Sequence, residues 1–247
     1  MRKTGKKAIL VGGGPVHNGL LRTALATGCD LLLAVDGGGK TLVDLGYQPQ
    51  LLLGDFDSLP LSYQDDLKAK GVQILSYQPE KDWTDLELAF NQLTTEKCRT
   101  AQVFGALGGR LDHTLANIAL LYKMKLSGTE LVLIGEEQAV TLLTDQEKIR
   151  IFPFAGGHFS LLPYPFAAQG VSIRGAKYPL EEATLELGST RGVHNEFLAD
   201  PVEVGLASGS LLVMVEGLQH CPEGRTLFQR LPRQEQQETA VIPRNSK

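Results

Sequence analysis

The run Leu31-Leu32-Leu33-Ala34-Val35-Asp36-Gly37-Gly38 decides the architecture. A short unbroken apolar run, halted by an acid and two glycines, reads as a strand covered on both faces, the kind found in parallel sheets. The same unit recurs on either side. Ala8-Ile9-Leu10-Val11 runs into Gly12-Gly13-Gly14-Pro15, and Leu51-Leu52-Leu53 into Gly54-Asp55. Further on come Val72-Gln73-Ile74-Leu75, Ala101-Gln102-Val103-Phe104 before Gly105, and Leu131-Val132-Leu133-Ile134 before Gly135.

Helical spacing fills the gaps. Leu86, Ala89, Phe90 and Leu93 fall at i, i+3, i+4, i+7, as do Leu115, Ile118, Ala119 and Tyr122, which predicts one buried face for each helix. Alternating strands and helices predict an open, mostly parallel α/β sheet over residues 1–140. Beyond Gly135 the segments shorten and alternate, as in Thr184-Leu185-Glu186-Leu187, and turn residues recur. Residues 141–218 therefore read as an antiparallel β-domain, a sandwich or barrel. From about Gln219 the chain is rich in Gln, Glu, Arg and Pro, which predicts a mostly disordered tail over 219–247.

Composition narrows the class. A 43% hydrophobic fraction supports a true core, and a net charge of −4 argues against a nucleic-acid partner. The cysteines, Cys29, Cys98 and Cys221, form no CxxC pair, so neither a zinc ribbon nor a disulfide framework is indicated. No apolar run approaches the roughly 20 residues of a membrane span. The short Ala8–Val11 run is no signal-peptide core. The expected location is the cytoplasm.

In open α/β sheets ligands bind beyond the carboxyl ends of the strands. At that predicted edge stand Asp36, Asp55, Asp57, Asp82, Asp85 and Asp112. Each has a bland reading. Asp beside Gly is ordinary turn chemistry. Asp57, Asp85 and Asp112 could serve helix starts, and Lys81 could be a solvated lysine. Together on one edge, however, gathered carboxylates imply a cation, and hard oxygen ligands suit magnesium shared with phosphates. Arg110 follows Gly108-Gly109, where the backbone can approach a phosphate and the guanidinium fork can bind it. His113 and Asn117 are expected to face away from the core. Other motifs fail. Ala34–Thr41 reads AVDGGGKT and lacks the first glycine of a P-loop, and His17 stands where a dinucleotide fingerprint needs its third glycine.

Four loops taken in order resemble the thiamine pyrophosphokinase family: Asp36-Gly37-Gly38; Gly54-Asp55-Phe56-Asp57-Ser58; Lys81-Asp82 with Thr84-Asp85; and Gly108-Gly109-Arg110 with Asp112-His113 and Asn117. A looser likeness runs through Gly175–Leu180 and Gly192–Phe197. The resemblance implies an α/β catalytic domain, a C-terminal β-sandwich, ATP and thiamine as substrates, and Mg2+. It also implies a homodimer with the active site between subunits. Carried onto this chain, it makes Asp55, Asp57 and Asp85 the metal ligands, with Asp82 and Arg110 completing the catalytic set. Asp36, Gly37, Gly38, Lys81, Asp112 and His113 join Arg110 around the phosphates, and His194 and Asn195 meet the substrate. Two departures stand out. The family's usual Ser-Asn pair is here His194-Asn195, and the sole tryptophan, Trp83, lies in the acidic loop rather than near the C-terminus. Two rivals follow: a pyrophosphokinase for another small alcohol such as a pterin, and a non-catalytic nucleotide- or thiamine-binding regulator.

Overall fold

The computed structural model describes residues 5–54, 65, 67–77 and 82–232. Six parallel strands form half of one large sheet: β1 (Lys6–Val11), β2 (Leu31–Val35), β3 (Leu51–Gly54), β4 (Gln73–Ser76), β5 (Cys98–Phe104) and β6 (Glu130–Ile134). Their order is β4-β3-β2-β1-β5-β6. All of β3 and most of β1 and β2 are buried, as their apolar runs predict. The edge strand β4 differs. Gln73 and Ser76 are exposed, and Ile74 and Leu75 are only half-buried, because among the described residues one flank has no neighbouring strand.

Helices α1 (Asn18–Thr27), α2 (Gly38–Asp44), α3 (Asp85–Thr95) and α4 (Leu111–Leu126) connect these strands. His17 caps α1. Its Nδ1 accepts the Leu20 N–H at 3.2 Å, and its Nε2 lies 2.7 Å from the Leu218 carbonyl. An accepting Nδ1 leaves Nε2 as the protonated donor, so the ring is used as a neutral brace. Thr84 caps α3 by accepting the Glu87 N–H.

The face of α4 is a correction. Its buried residues are Asn117, Leu121 and Met124, whereas Leu115 is 57% exposed and Ala119 lies in solvent. The helix is apolar on more than one side, so spacing alone could not say which stripe meets the sheet.

The antiparallel half consists of β7 (Gln138–Thr144), β8 (Lys148–Ile151), β9 (His158–Arg174), β10 (Leu180–Leu185), β11 (Val202–Gly205), β12 (Ser208–Glu216) and β13 (Phe228–Arg230). It is not a detached sheet. β7 pairs with β6 through Val132↔Thr141, Leu133↔Val140 and Ile134↔Ala139, so one 13-stranded sheet runs through the molecule. The long strand β9 pairs with β12 along most of its length and with β10 and β11 near its end. Phe159, Leu161, Val171, Val204 and Val213 gather in the core of this half.

The tail is also corrected in part. Residues 219–232 are placed: Cys221 and Leu227 are buried, and β13 pairs with β8. Arg230 reaches Glu130 at 3.0 Å and Glu147 at 3.1 Å, while Lys125 holds Glu147 at 2.7 Å. The polar composition of this stretch therefore reflects an ion-paired strap, with enough apolar residues to anchor it. Residues 233–247 lie outside the described residues.

Candidate active site

The carboxyl ends of β1, β2 and β5 meet through backbone contacts. The Gly12 N–H donates to the Phe104 carbonyl at 2.8 Å, and the Gly14 N–H to Gly105 at 3.2 Å. A Cβ on Gly14 would lie 2.6 Å from the Gly105 oxygen, and one on Gly38 would collide with the Val11 carbonyl. These glycines let α2 start directly against the end of β1. Asp36 sits between β2 and α2 with φ of 47°, a left-handed geometry that aspartate tolerates better than most residues. Its N–H donates to the Leu53 carbonyl at 2.9 Å, and its own carbonyl receives the Gly39 N–H at 3.1 Å. Asp36-Gly37-Gly38 thus forms a stiff corner at the end of β2.

Asp82 is exposed and Asp85 half-buried in the first turn of α3, where carboxylates are favoured by the helix dipole. Gly108 and Gly109 are both left-handed, with φ of 88° and 70°. They deliver Arg110 to the start of α4. There Arg110 grips Asp112 twice, Nε to Oδ1 at 3.1 Å and a terminal nitrogen to Oδ2 at 2.5 Å. The Arg110 hydrogen bond, followed by one from the His113 N–H, holds the Asp112 carboxyl down at about 2. His113 is exposed here. Asn117, expected to face away from the core, is instead buried and donates to the Ala106 carbonyl at 2.8 Å. It ties α4 to the loop that carries Gly108 and Gly109.

Asp36, Gly37, Gly38, Asp82, Asp85, Arg110, Asp112 and His113 therefore share one sheet edge. Asp55, Asp57 and Lys81 lie outside the described residues. Hard carboxylate oxygens fit magnesium in kind. Among the described residues no group of three or more His, Cys, Asp or Glu side chains is arranged to hold a metal, so Asp85 alone does not make a site.

His194 and Asn195 stand on the antiparallel half. His194 is exposed, with φ of 58° and its N–H on the Ser160 hydroxyl at 3.0 Å. The Asn195 side chain is buried and already engaged. Its Oδ1 accepts the N–H groups of Tyr178 and Glu196, both at 3.0 Å, and its Nδ2 donates to the Tyr178 carbonyl at 2.8 Å. Asn195 thus shapes the loop that presents His194. The structure adds His158, whose ring lies 4.6 Å from that of His194. No sequence spacing signals that pair, because it forms where β9 bridges to Asn195 through Phe159.

A family model described as the thiamin pyrophosphokinase catalytic domain matches residues 23–133, and one described as the vitamin B1 binding domain of the same enzyme matches residues 136–211. The chain belongs to the thiamine pyrophosphokinase family. Among its relatives, thiamine pyrophosphokinase of Bacillus subtilis is 31% identical over 205 residues, 83% of this chain and 96% of that one. A rice relative, thiamine pyrophosphokinase 2, is 28% identical over 73% of this chain and 76% of its own. Among solved structures, the Bacillus subtilis enzyme superposes with a TM-score of 0.75 at 29% identity, covering 86% of this chain and 99% of that one. The thiamin pyrophosphokinase of Geobacillus thermodenitrificans gives 0.73 at 27%, covering 85% and 97%. Family membership places the expected catalytic part on the parallel half of the sheet and the vitamin-binding part on the antiparallel half.

Proposed function

We infer that the chain is a thiamine diphosphokinase, transferring pyrophosphate from ATP to the hydroxyl of thiamine and releasing AMP. The observation that carries this reading is the pair of family matches: one chain holds both the catalytic and the vitamin B1 binding domain of the family. The acidic edge and Arg110 supply the matching chemistry.

The hydroxyl oxygen bonds to the β-phosphorus as the bond from that phosphorus to the α–β bridging oxygen breaks. The hydroxyl proton passes to a carboxylate of the same edge. Positioning and charge stabilisation dominate such transfers. Asp55, Asp57 and Asp85 would hold magnesium, which neutralises polyphosphate charge when bound. Asp36, at its stiff corner, and Asp82 position the phosphates or the hydroxyl. Gly37 and Gly38 open the start of α2 to them, Asp112 and His113 line the same edge, and Lys81 would neutralise phosphoryl charge. The exposed Arg110–Asp112 pair gains little from its own contact, so the guanidinium is ready to exchange that carboxylate for phosphoryl oxygens. His194, presented by the Asn195 loop and flanked by His158, faces the acceptor.

A homodimer with the active site between copies and a cytoplasmic setting complete this reading. Its support is a largely exposed apolar stripe. Leu111, Leu115, Ala119, Tyr122 and Leu126 recur on one face of α4, and Tyr122 meets exposed Phe166 of β9 edge-on at 5.6 Å. A boundary near residue 140 is supported by the switch from parallel to antiparallel pairing between β6 and β7.

The test is AMP release from ATP and magnesium, with and without thiamine. Thiamine-dependent AMP with thiamine diphosphate in step is expected. AMP formed equally without thiamine would overturn the assigned acceptor, and a panel of other small alcohols, pterins included, would then find the true one. Asp55→Asn should cut turnover by about a hundredfold or more with the unfolding curve unchanged.

A further inference from the structure

The opposite side of the parallel half holds a second concavity. On β5, Phe104 is buried but Gln102 and Thr100, on the same face, are exposed. A central strand of a parallel sheet is normally covered on both faces. Here α4, which links β5 to β6, packs on the other face, and α1 covers only part of this one. The gap is roofed by the strap after Gly224, with Leu227 and Phe228 facing it, and α1 contributes Ala24 and Thr27 to its wall. The result is a cavity of about 500 Å³, well within the range of small-molecule sites. Its roof lies beyond residues 136–211, which the family model matches.

The lining has a definite charge. Lys7, Arg225 and Arg230 face a single carboxylate, Glu130. Glu130 is already held by Arg230 at 3.0 Å and by Lys125 at 3.2 Å. Arg225 donates one terminal nitrogen to Asp200 at 2.9 Å, and its guanidinium lies 5.8 Å from the centre of the Phe152 ring. Its Nε is buried and has no hydrogen-bond partner among the described residues. The partly exposed guanidinium thus keeps donors on the cavity wall beyond the one that Asp200 uses. The remaining walls are mostly aliphatic and aromatic.

We propose that this cavity is a second small-molecule site, which takes an organic anion with an apolar body, the class of a medium-chain monocarboxylate. The carboxylate meets the Arg225 guanidinium where it lines the cavity, and the apolar chain lies over β5 beneath Leu227 and Phe228. The site is on the opposite sheet face from α4 and uses none of the residues assigned to catalysis, so it stands whether or not thiamine is the acceptor.

Octanoate is the probe, titrated calorimetrically into the full chain. One octanoate per chain is expected, with octanol bound at least roughly tenfold more weakly, since a charged hydrogen bond is lost. Thr100→Trp, which fills the cavity from an exposed position, should abolish uptake. Arg225→Gln should weaken it by roughly tenfold or more. Both variants should keep AMP release within about twofold, since neither touches the acidic edge. Cys29, a half-buried thiol on the cavity wall, localises the event: bound octanoate should slow its alkylation. No uptake by the full chain overturns the proposal. So do unchanged binding in Thr100→Trp, equal binding of octanol, or unchanged alkylation of Cys29.

Discussion

Gly38 and Asn117 do most to fix the geometry of the acidic edge, and neither carries charge. A side chain at Gly38 would run into the Val11 carbonyl, so Gly38→Ala must push α2 away from β1. The expected cost is about 3 kcal/mol or more, read as a lower urea midpoint, with AMP release lost even in the fraction that folds. Asn117→Ala removes the donor to Ala106 and should cost about 1–3 kcal/mol. Because that bond tethers the Gly108–Gly109 loop, kcat/KM should fall further than the loss of folded protein explains. At this scale the sequence was legible where chemistry is local. Asp beside Gly after an apolar run placed Asp36, and Asp85 marked a helix start, which the structure gives with Thr84 as its cap. It was illegible where a side chain is used by a distant backbone. Asn195 looks like a ligand contact but spends its amide on Tyr178 and Glu196, and His17 braces Leu218 from 201 positions away.

Among the elements, α4 has the most consequential surface. Its buried face holds Asn117, Leu121 and Met124, leaving Leu115 and the 71%-exposed Leu126 in solvent. An apolar stripe of that length is costly to leave wet. Leu115→Asp should convert the assembly from twice the chain mass to the chain mass in light scattering, with the far-ultraviolet dichroism of the wild type. A wild-type chain that runs as a monomer at micromolar concentration would remove the dimer from the reading. Helical periodicity in 111–126 identified the element but not its orientation, since apolar residues occur on two sides and only packing against β6 and β7 selects one. The strands of the parallel half were readable because each is a short apolar run closed by glycine. The exception, β4, is polar at its ends because it is an edge.

For the whole molecule, the strap adds a second tie between halves that the β6–β7 ladder already joins. Glu147 and Lys125 are largely buried partners, and Arg230 joins them from the far end of the chain. Burial alone would raise the Glu147 carboxyl. The Lys125 hydrogen bond, the Thr144 N–H and the Arg230 charge outweigh burial and lower it. A lowered folded value means that the unfolded chain takes up the proton first. The stabilisation is thus complete above the ordinary glutamate range, near about 4.3, and drains away as pH falls through the folded value. Glu147→Gln should cost about 3 kcal/mol at pH 7, as breaking a buried pair does. It should also flatten the loss of stability between pH 5 and pH 3 in urea titrations. None of this was visible in the composition of the tail, whose charges look solvated until β13 sets them beside Glu130 and Glu147. The unbroken pairing of β6 with β7 has one more effect. Two halves joined by a shared ladder cannot swing together like jaws about a hinge, so the acceptor cannot be carried to ATP by bending the chain. If a second copy supplies the missing wall, catalysis becomes a property of encounter: specific activity should fall on dilution below the dimer dissociation constant and return on concentration.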